Sequence, residues 1–132
     1  MDGIPIPCPC TDSNYADQYN LPGVYAPIAD FGLVSAAVAK AEAMGINYKV
    51  GNILSSDVFY GDDAQRWHQW QKMGVLAVEM EAAALYMNAA RSGNEALCIC
   101  TISDSLVHGT ACSAEQRQTS FTNMMEIAFD II

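Results

Sequence analysis

The chain has 132 residues, 52% of them hydrophobic, and a formal net charge of −9. That length suits one domain with a substantial core, and the composition excludes disorder. Only six Lys and Arg are present. They are scattered as Lys40, Lys49, Arg66, Lys72, Arg91 and Arg117, so nucleic acid and anionic membrane surfaces are poor partners.

No run approaches the roughly 18 apolar residues of a membrane helix. The amino terminus lacks the basic and apolar regions of a secretory signal, so the expected address is the cytoplasm. The five cysteines, Cys8, Cys10, Cys98, Cys100 and Cys112, are an odd number and argue against a closed disulfide framework. The two histidines, His68 and His108, sit in no ligand pattern, and no metal or cofactor is expected.

Residues 1–30 hold all five prolines and read as irregular extended chain and turns, with residues 1–9 a distinct terminus. Asp30 is a suitable N-cap for a helix whose apolar spacing runs from Leu33 to Met44, with Gly45 as its stop. Residues 47–54 read as a strand, with Gly51 as a weak point or bulge. A short amphipathic helix with Trp67 and Trp70 spans residues 64–73, and Gly74 ends it.

Residues 75–80 read as a strand running into a third helix, residues 81–92, which is apolar on almost every side. The apolar run at residues 96–102 reads as a buried central strand ending at Ser103. On such a strand Cys98 and Cys100 share one face and pack in the core. Ser113 with Gln116 three residues on forms a capping-box pattern for one last helix, with Phe121, Met124, Met125, Ile127, Ala128 and Ile131 on its core face. Strands alternating with helices predict a parallel α/β sheet covered by helices. Three strands are few, so either the chain belongs to a larger domain or a partner completes the sheet.

Two stretches carry candidate chemistry. Asp104 follows the apolar run at a strand end, where α/β proteins place their sites, and Arg117 in the first turns of the last helix is within reach of folding back. This pair reads either as a catalytic acid with a cation or as a strand-end cap with a surface salt bridge. Glu79 and Glu81 sit inside an apolar run and, on a strand, point to the same side. They read either as acceptors for vicinal sugar hydroxyls or as stabilisers of the following helix through its dipole.

Four stretches together resemble the bacterial hexameric purine nucleoside phosphorylases: Cys10-Thr11-Asp12-Ser13, residues 50–60 (Val-Gly-Asn-Ile-Leu-Ser-Ser-Asp-Val-Phe-Tyr), Val78-Glu79-Met80-Glu81-Ala82-Ala83, and Ser103-Asp104 with Ala114-Glu115-Gln116-Arg117-Gln118-Thr119-Ser120-Phe121. The resemblance covers residues 10–132, the carboxyl-terminal half of such a chain. It implies a three-layer α/β fold with a mixed central sheet flanked by helices. It also implies phosphorolysis of purine nucleosides or deoxynucleosides to free base and pentose 1-phosphate, with inorganic phosphate as co-substrate and a homo-oligomer, a hexamer in the family.

By the same resemblance Asp104 is the general acid to purine N7, Arg117 assists it, and Ser103 shares that strand end. Phe59 and Val78 line the base pocket. Glu79, Met80 and Glu81 form the ribose site, with Glu81 the principal ligand. For Asp104 to donate a proton, its surroundings are expected to raise its pKa. The family's phosphate-binding glycine and arginines have no counterpart here, and Ser105 stands where many members carry His. The alternatives are therefore a truncated, non-catalytic fragment that binds nucleoside or needs a partner chain, and a related nucleosidase using water.

Overall fold

The computed structural model describes residues 4–12, 14–119 and 121–132. Residues 1–3 of the expected irregular terminus, and Ser13 and Ser120 of the family-like motifs, lie outside them. Three strands, β1 (Ile4–Thr11), β2 (Tyr48–Ser55) and β3 (Ala77–Glu79), form a parallel sheet in the order β1-β2-β3. Helix α1 (Phe31–Ala43) joins β1 to β2, after a short 3-10 turn at Tyr15–Tyr19. Helix α2 (Trp67–Lys72) precedes β3, and α3 (Ala82–Ser92) follows it almost without a loop.

The chain then passes through residues 94–103 to an antiparallel pair, β4 (Asp104–Ser105) and β5 (Thr110–Ala111). It finishes with α4 (Ala114–Thr119) and α5 (Thr122–Asp130). Among the described residues no helix is long and apolar enough to cross a membrane.

Local chemistry explains most of these boundaries. The Asp30 carboxylate accepts from the Leu33 N–H at 2.9 Å and starts α1. Gly45 and Gly93 follow α1 and α3 with φ of 67° and 69°, the left-handed conformation that glycine adopts without strain. Gly51 is no bulge, because the β1–β2 register runs unbroken from Ile4↔Tyr48 to Thr11↔Ser55. Its missing side chain instead admits Leu76, whose Cδ1 lies 2.9 Å from where a Cβ would stand.

The expectation of an irregular start is corrected. Residues 4–11 form a strand although Pro5, Pro7 and Pro9 fall within it. The prolines recur at every second position, so all three missing N–H groups fall on one side, and among the described residues β1 pairs on one side only, with β2.

The expected central strand is corrected as well. Residues 96–103 form no ladder with any described strand. Their backbone is held otherwise: the Asp30 N–H donates to the Ala96 carbonyl at 3.0 Å, and the Cys98 N–H donates to the Tyr86 hydroxyl at 2.8 Å. The alternation of a strand survives nonetheless. Leu97 and Ile99 pack with Ala37, Ala41 and Ile127, between α1 and α5, while Ala96, Cys98 and Cys100 pack with Ile53, Ala82 and Tyr86 under α3. On β2, Tyr48 joins the first cluster and Ile53 the second, as residues of opposite parity must. The sheet thus lies between two helical layers, and the larger sheet is parallel, the only antiparallel pairing among the described residues being β4 with β5.

The last helix is two helices, α4 and α5, rather than one. Ile127 is buried and Met124 and Ile131 pack beside it, while Met125 is exposed.

Tyr86 is 2% exposed, and its hydroxyl accepts from the Cys98 N–H at 2.8 Å. Tyr86→Phe leaves that half-buried N–H without its acceptor and is expected to lower stability by about 1–3 kcal/mol. Urea unfolding measures it; an unchanged midpoint would show that this bond does not hold residues 96–100 in place.

Candidate functional site

The site is built at the carboxyl ends of the parallel strands. Thr11, Ser55 and Glu79 are register partners across β1, β2 and β3, so three polar side chains end the three strands in a row. The Thr11 hydroxyl donates to the Ser55 carbonyl at 3.0 Å. One residue on, the Asp12 carboxylate accepts from the Ser56 hydroxyl at 3.1 Å and from the Asp57 N–H at 3.2 Å, which clamps the ends of β1 and β2 together. The Ser56 N–H reaches the Glu79 carbonyl at 2.8 Å and ties in β3.

Glu79 occupies a gap that the sequence creates. Helix α3 begins directly after β3, and its N-cap residue, Glu81, makes no side-chain capping bond. The free N–H groups of the first turn need acceptors. Glu79 Oε2 takes the N–H of Glu81 and of Ala82, both at 2.6 Å, and Oε1 accepts from the Ser55 hydroxyl. The same Ser55 oxygen accepts from the Ala83 N–H at 2.8 Å. Glu81 turns elsewhere: its Oε2 accepts from the Met80 N–H at 3.2 Å, and the residue is exposed. The two glutamates therefore do not act as one same-side pair. Glu79 takes the helix-capping role, and Glu81 keeps an accessible carboxylate.

The second part of the site is made by the turn after residue 103. Asp104–Ser105 pairs with Thr110–Ala111, the Ser105 hydroxyl accepts from the His108 N–H at 3.2 Å, and Gly109 closes the turn with φ 61°. The hairpin brings the Cys112 N–H to the Ser103 carbonyl at 2.9 Å. Ser113 and Gln116 then form the expected capping box, with Ser113 N–H to Gln116 Oε1 at 2.9 Å and Gln116 N–H to Ser113 Oγ at 3.1 Å. Helix α4 is thereby aimed so that Arg117 folds back, its Nη2 donating to Asp104 Oδ1 at 2.7 Å. The Ser103 hydroxyl donates to Asp104 Oδ2 at 2.8 Å.

These donors act against the expected acidity. The Ser103 hydroxyl first, and then Arg117, hold the Asp104 carboxyl below its ordinary value, where a raised pKa was expected. The correction has a plain cause. Both Asp104 oxygens face donors, and together these outweigh burial, which acts in the opposite direction.

The remaining candidates stand as follows. Phe59 is 74% exposed and meets Tyr60 edge-to-face with ring centroids 4.8 Å apart. Val78, opposite Leu54 in the register, and Met80 are both exposed. Among the described residues no hydrogen bond or ion pair joins Asp104 to the glutamates.

Ser55 and Asp12 were not singled out as site residues. Their signals were the Ser55-Ser56-Asp57 run leaving a strand and the Cys10-Thr11-Asp12-Ser13 stretch of the family resemblance, neither of which reveals what these side chains bind.

A parallel sheet with polar strand ends and a helix capped from the preceding strand defines an α/β enzyme-like scaffold. The family model described as "Phosphorylase superfamily" matches residues 7–131, and the chain belongs to that family. Among curated relatives, a DeoD-type purine nucleoside phosphorylase of Caldanaerobacter subterraneus subsp. tengcongensis is 57% identical over 107 residues, 81% of this chain and 46% of the relative. Those of Clostridium beijerinckii and Tolumonas auensis are 52% and 47% identical, over 92% and 93% of this chain and 52% of each relative. The chain spans about half the length of the curated relatives it matches.

The acidity of Asp104 is directly testable. A carboxyl whose folded pKa is depressed stabilises the fold above its unfolded value and loses that contribution as pH falls through the folded value. Carbon-13 NMR of the carboxyl is expected to place the Asp104 midpoint below 3.8. Ser103→Ala and Arg117→Met should each move it upward, and the stability difference between Arg117→Met and the parent should vanish in strong acid. A parent midpoint at or above 3.8 would contradict the bonded geometry.

Proposed function

We propose that this chain carries the base and ribose half of a purine nucleoside phosphorylase site, which splits purine ribo- or deoxyribonucleosides to free base and pentose 1-phosphate. The observation that carries the reading is the 2.7 Å contact of Arg117 with Asp104 at the strand-end hairpin. The family membership and the names of the relatives support it.

Cleavage of the glycosidic bond leaves negative charge on the purine and positive charge on the sugar. In this reading Asp104 donates a proton to purine N7, which neutralises the leaving base. Asp104 rests as a carboxylate, so it must gain its proton as the nucleoside binds. A purine covering the exposed carboxyl removes water from it and raises its pKa. Arg117 and Ser103 hold it in place and set how far it must shift. Phe59 and Val78 meet the base.

Glu79 has both oxygens occupied by Ser55 and the start of α3, so it orients the turn and adds negative charge beside the cationic sugar. Glu81, with one long bond to Met80, is the carboxylate free to accept ribose hydroxyls. Met80 lies between them. Phosphate attacks the anomeric carbon, and no residue of this chain is assigned to holding it. Assembly as a cytoplasmic homo-oligomer belongs to the same reading.

A second reading, nucleoside binding without turnover by this chain alone, is favoured by its span of about half of its relatives. The two separate in one assay of inosine with and without phosphate. The test uses this chain, and this chain extended by the amino-terminal half that its relatives carry. Phosphate-dependent release of hypoxanthine is expected from the active form. Asp104→Asn should lower its kcat by about 100- to 10,000-fold while inosine still binds. Turnover near the parental rate in that variant would remove Asp104 from the acid role, and release that ignores phosphate would favour a nucleosidase.

A further inference from the structure

The Cys98 and Cys100 sulfurs lie 3.5 Å apart on one face of residues 96–100, half-buried against Ile53, Ala82 and Tyr86. Neither thiol has a part in the proposed reaction. We propose that Cys98 and Cys100 form a reversible intramolecular disulfide, closed by a hydroperoxide oxidant and opened by thiols.

Two features of the structure support it. The thiols already touch, so closure to a bond of about 2.05 Å needs a shift of little more than an ångström. Two residues apart on a fully extended chain, the Cα atoms stand about 6.4–6.8 Å from each other. That is the upper edge of the span a disulfide bridges, so the segment must contract slightly. In a laddered strand this contraction breaks sheet hydrogen bonds. Here residues 96–103 pair with no described strand, and the Cys98 amide is held by the Tyr86 hydroxyl rather than by a neighbouring strand.

One of the two sulfurs, as its thiolate, attacks the peroxide oxygen; the O–O bond breaks, and hydroxide leaves and takes up a proton as water. That sulfur is then a sulfenic acid. The second sulfur attacks it, the S–O bond breaks, and the second water leaves with the second thiol's proton. Two thiols lose two electrons and two protons in all, and one peroxide becomes two waters. A dithiol such as dithiothreitol restores both thiols by exchange. The pair sits beside the Glu79 and Glu81 carboxylates and four residues before Asp104, so its closure draws in the backbone that leads to the acid.

The test is peptide mapping of the folded chain after limited hydrogen peroxide, with free thiols alkylated before digestion. Cys112 falls in the same tryptic peptide, residues 92–117, so Cys112→Ser is the working background. The expected product is that peptide lighter by two hydrogen atoms and carrying no alkyl group, returning to double alkylation after dithiothreitol. Cys98→Ala and Cys100→Ala should each abolish it, with far-ultraviolet circular dichroism confirming that the variants remain folded. Persistent double alkylation of Cys98 and Cys100, sulfinic acid as the main product, or loss of the species in Cys112→Ser alone would each overturn the proposal.

Discussion

Helix α3 starts without a cap of its own, and the rest of the site depends on how that is solved. Its first N–H groups and the positive end of its dipole face the carboxyl ends of the strands. Glu79 reaches forward from the last position of β3 to accept two of those N–H groups, and buried Ser55 at the last position of β2 bridges Glu79 to the Ala83 amide. This works only in one register. A slip of β2 against β3 by a single residue would turn Ser55 to the other face and take its hydroxyl away from Glu79 Oε1 and from the Ala83 amide. Sheet register, helix position and the accessible carboxylate of Glu81 are therefore fixed by the same few bonds.

A comparable local device fixes the second part of the site. The hairpin at residues 104–111 and the Ser113–Gln116 capping box aim α4, and Arg117 reaches Asp104 as a result. The two parts differ in electrostatic character. One holds two carboxylates, Glu79 and Glu81, at the start of α3. The other holds a carboxylate neutralised by an arginine. A nucleoside has a matching asymmetry at the moment of cleavage, with positive charge on its sugar and negative charge on its base.

Features encoded within a few residues were legible in the sequence. Asp30 and Gly45 bounding α1, the capping box at Ser113, the strand-to-helix passage at Glu79, and the shared face of Cys98 and Cys100 all rest on local spacing. What escaped depends on partners distant in sequence. Three prolines argue for irregular chain unless a neighbouring strand needs donors from one side alone, as β2 does from β1. Residues 96–103 have the composition and alternation of a strand, but a ladder needs a neighbour, and no described strand supplies one. The approach of Arg117 to Asp104 was legible; the depressed pKa of that carboxyl was not, because it follows first from the Ser103 hydroxyl and then from Arg117, thirteen residues away. Ser55 looked like an ordinary strand-end serine until β3 and α3 were placed around it.

The central claim is that Phe59, the turn at residues 79–81 and Asp104 together bind one purine nucleoside. Amide NMR of the chain during an inosine titration tests it most directly. The account predicts saturable shifts that follow one binding curve at Phe59, Glu79, Met80, Glu81, Ser103 and Asp104, with Glu81→Gln weakening the curve for all of them together. Shifts confined to one of the two parts, or no saturable shift in either, would contradict it.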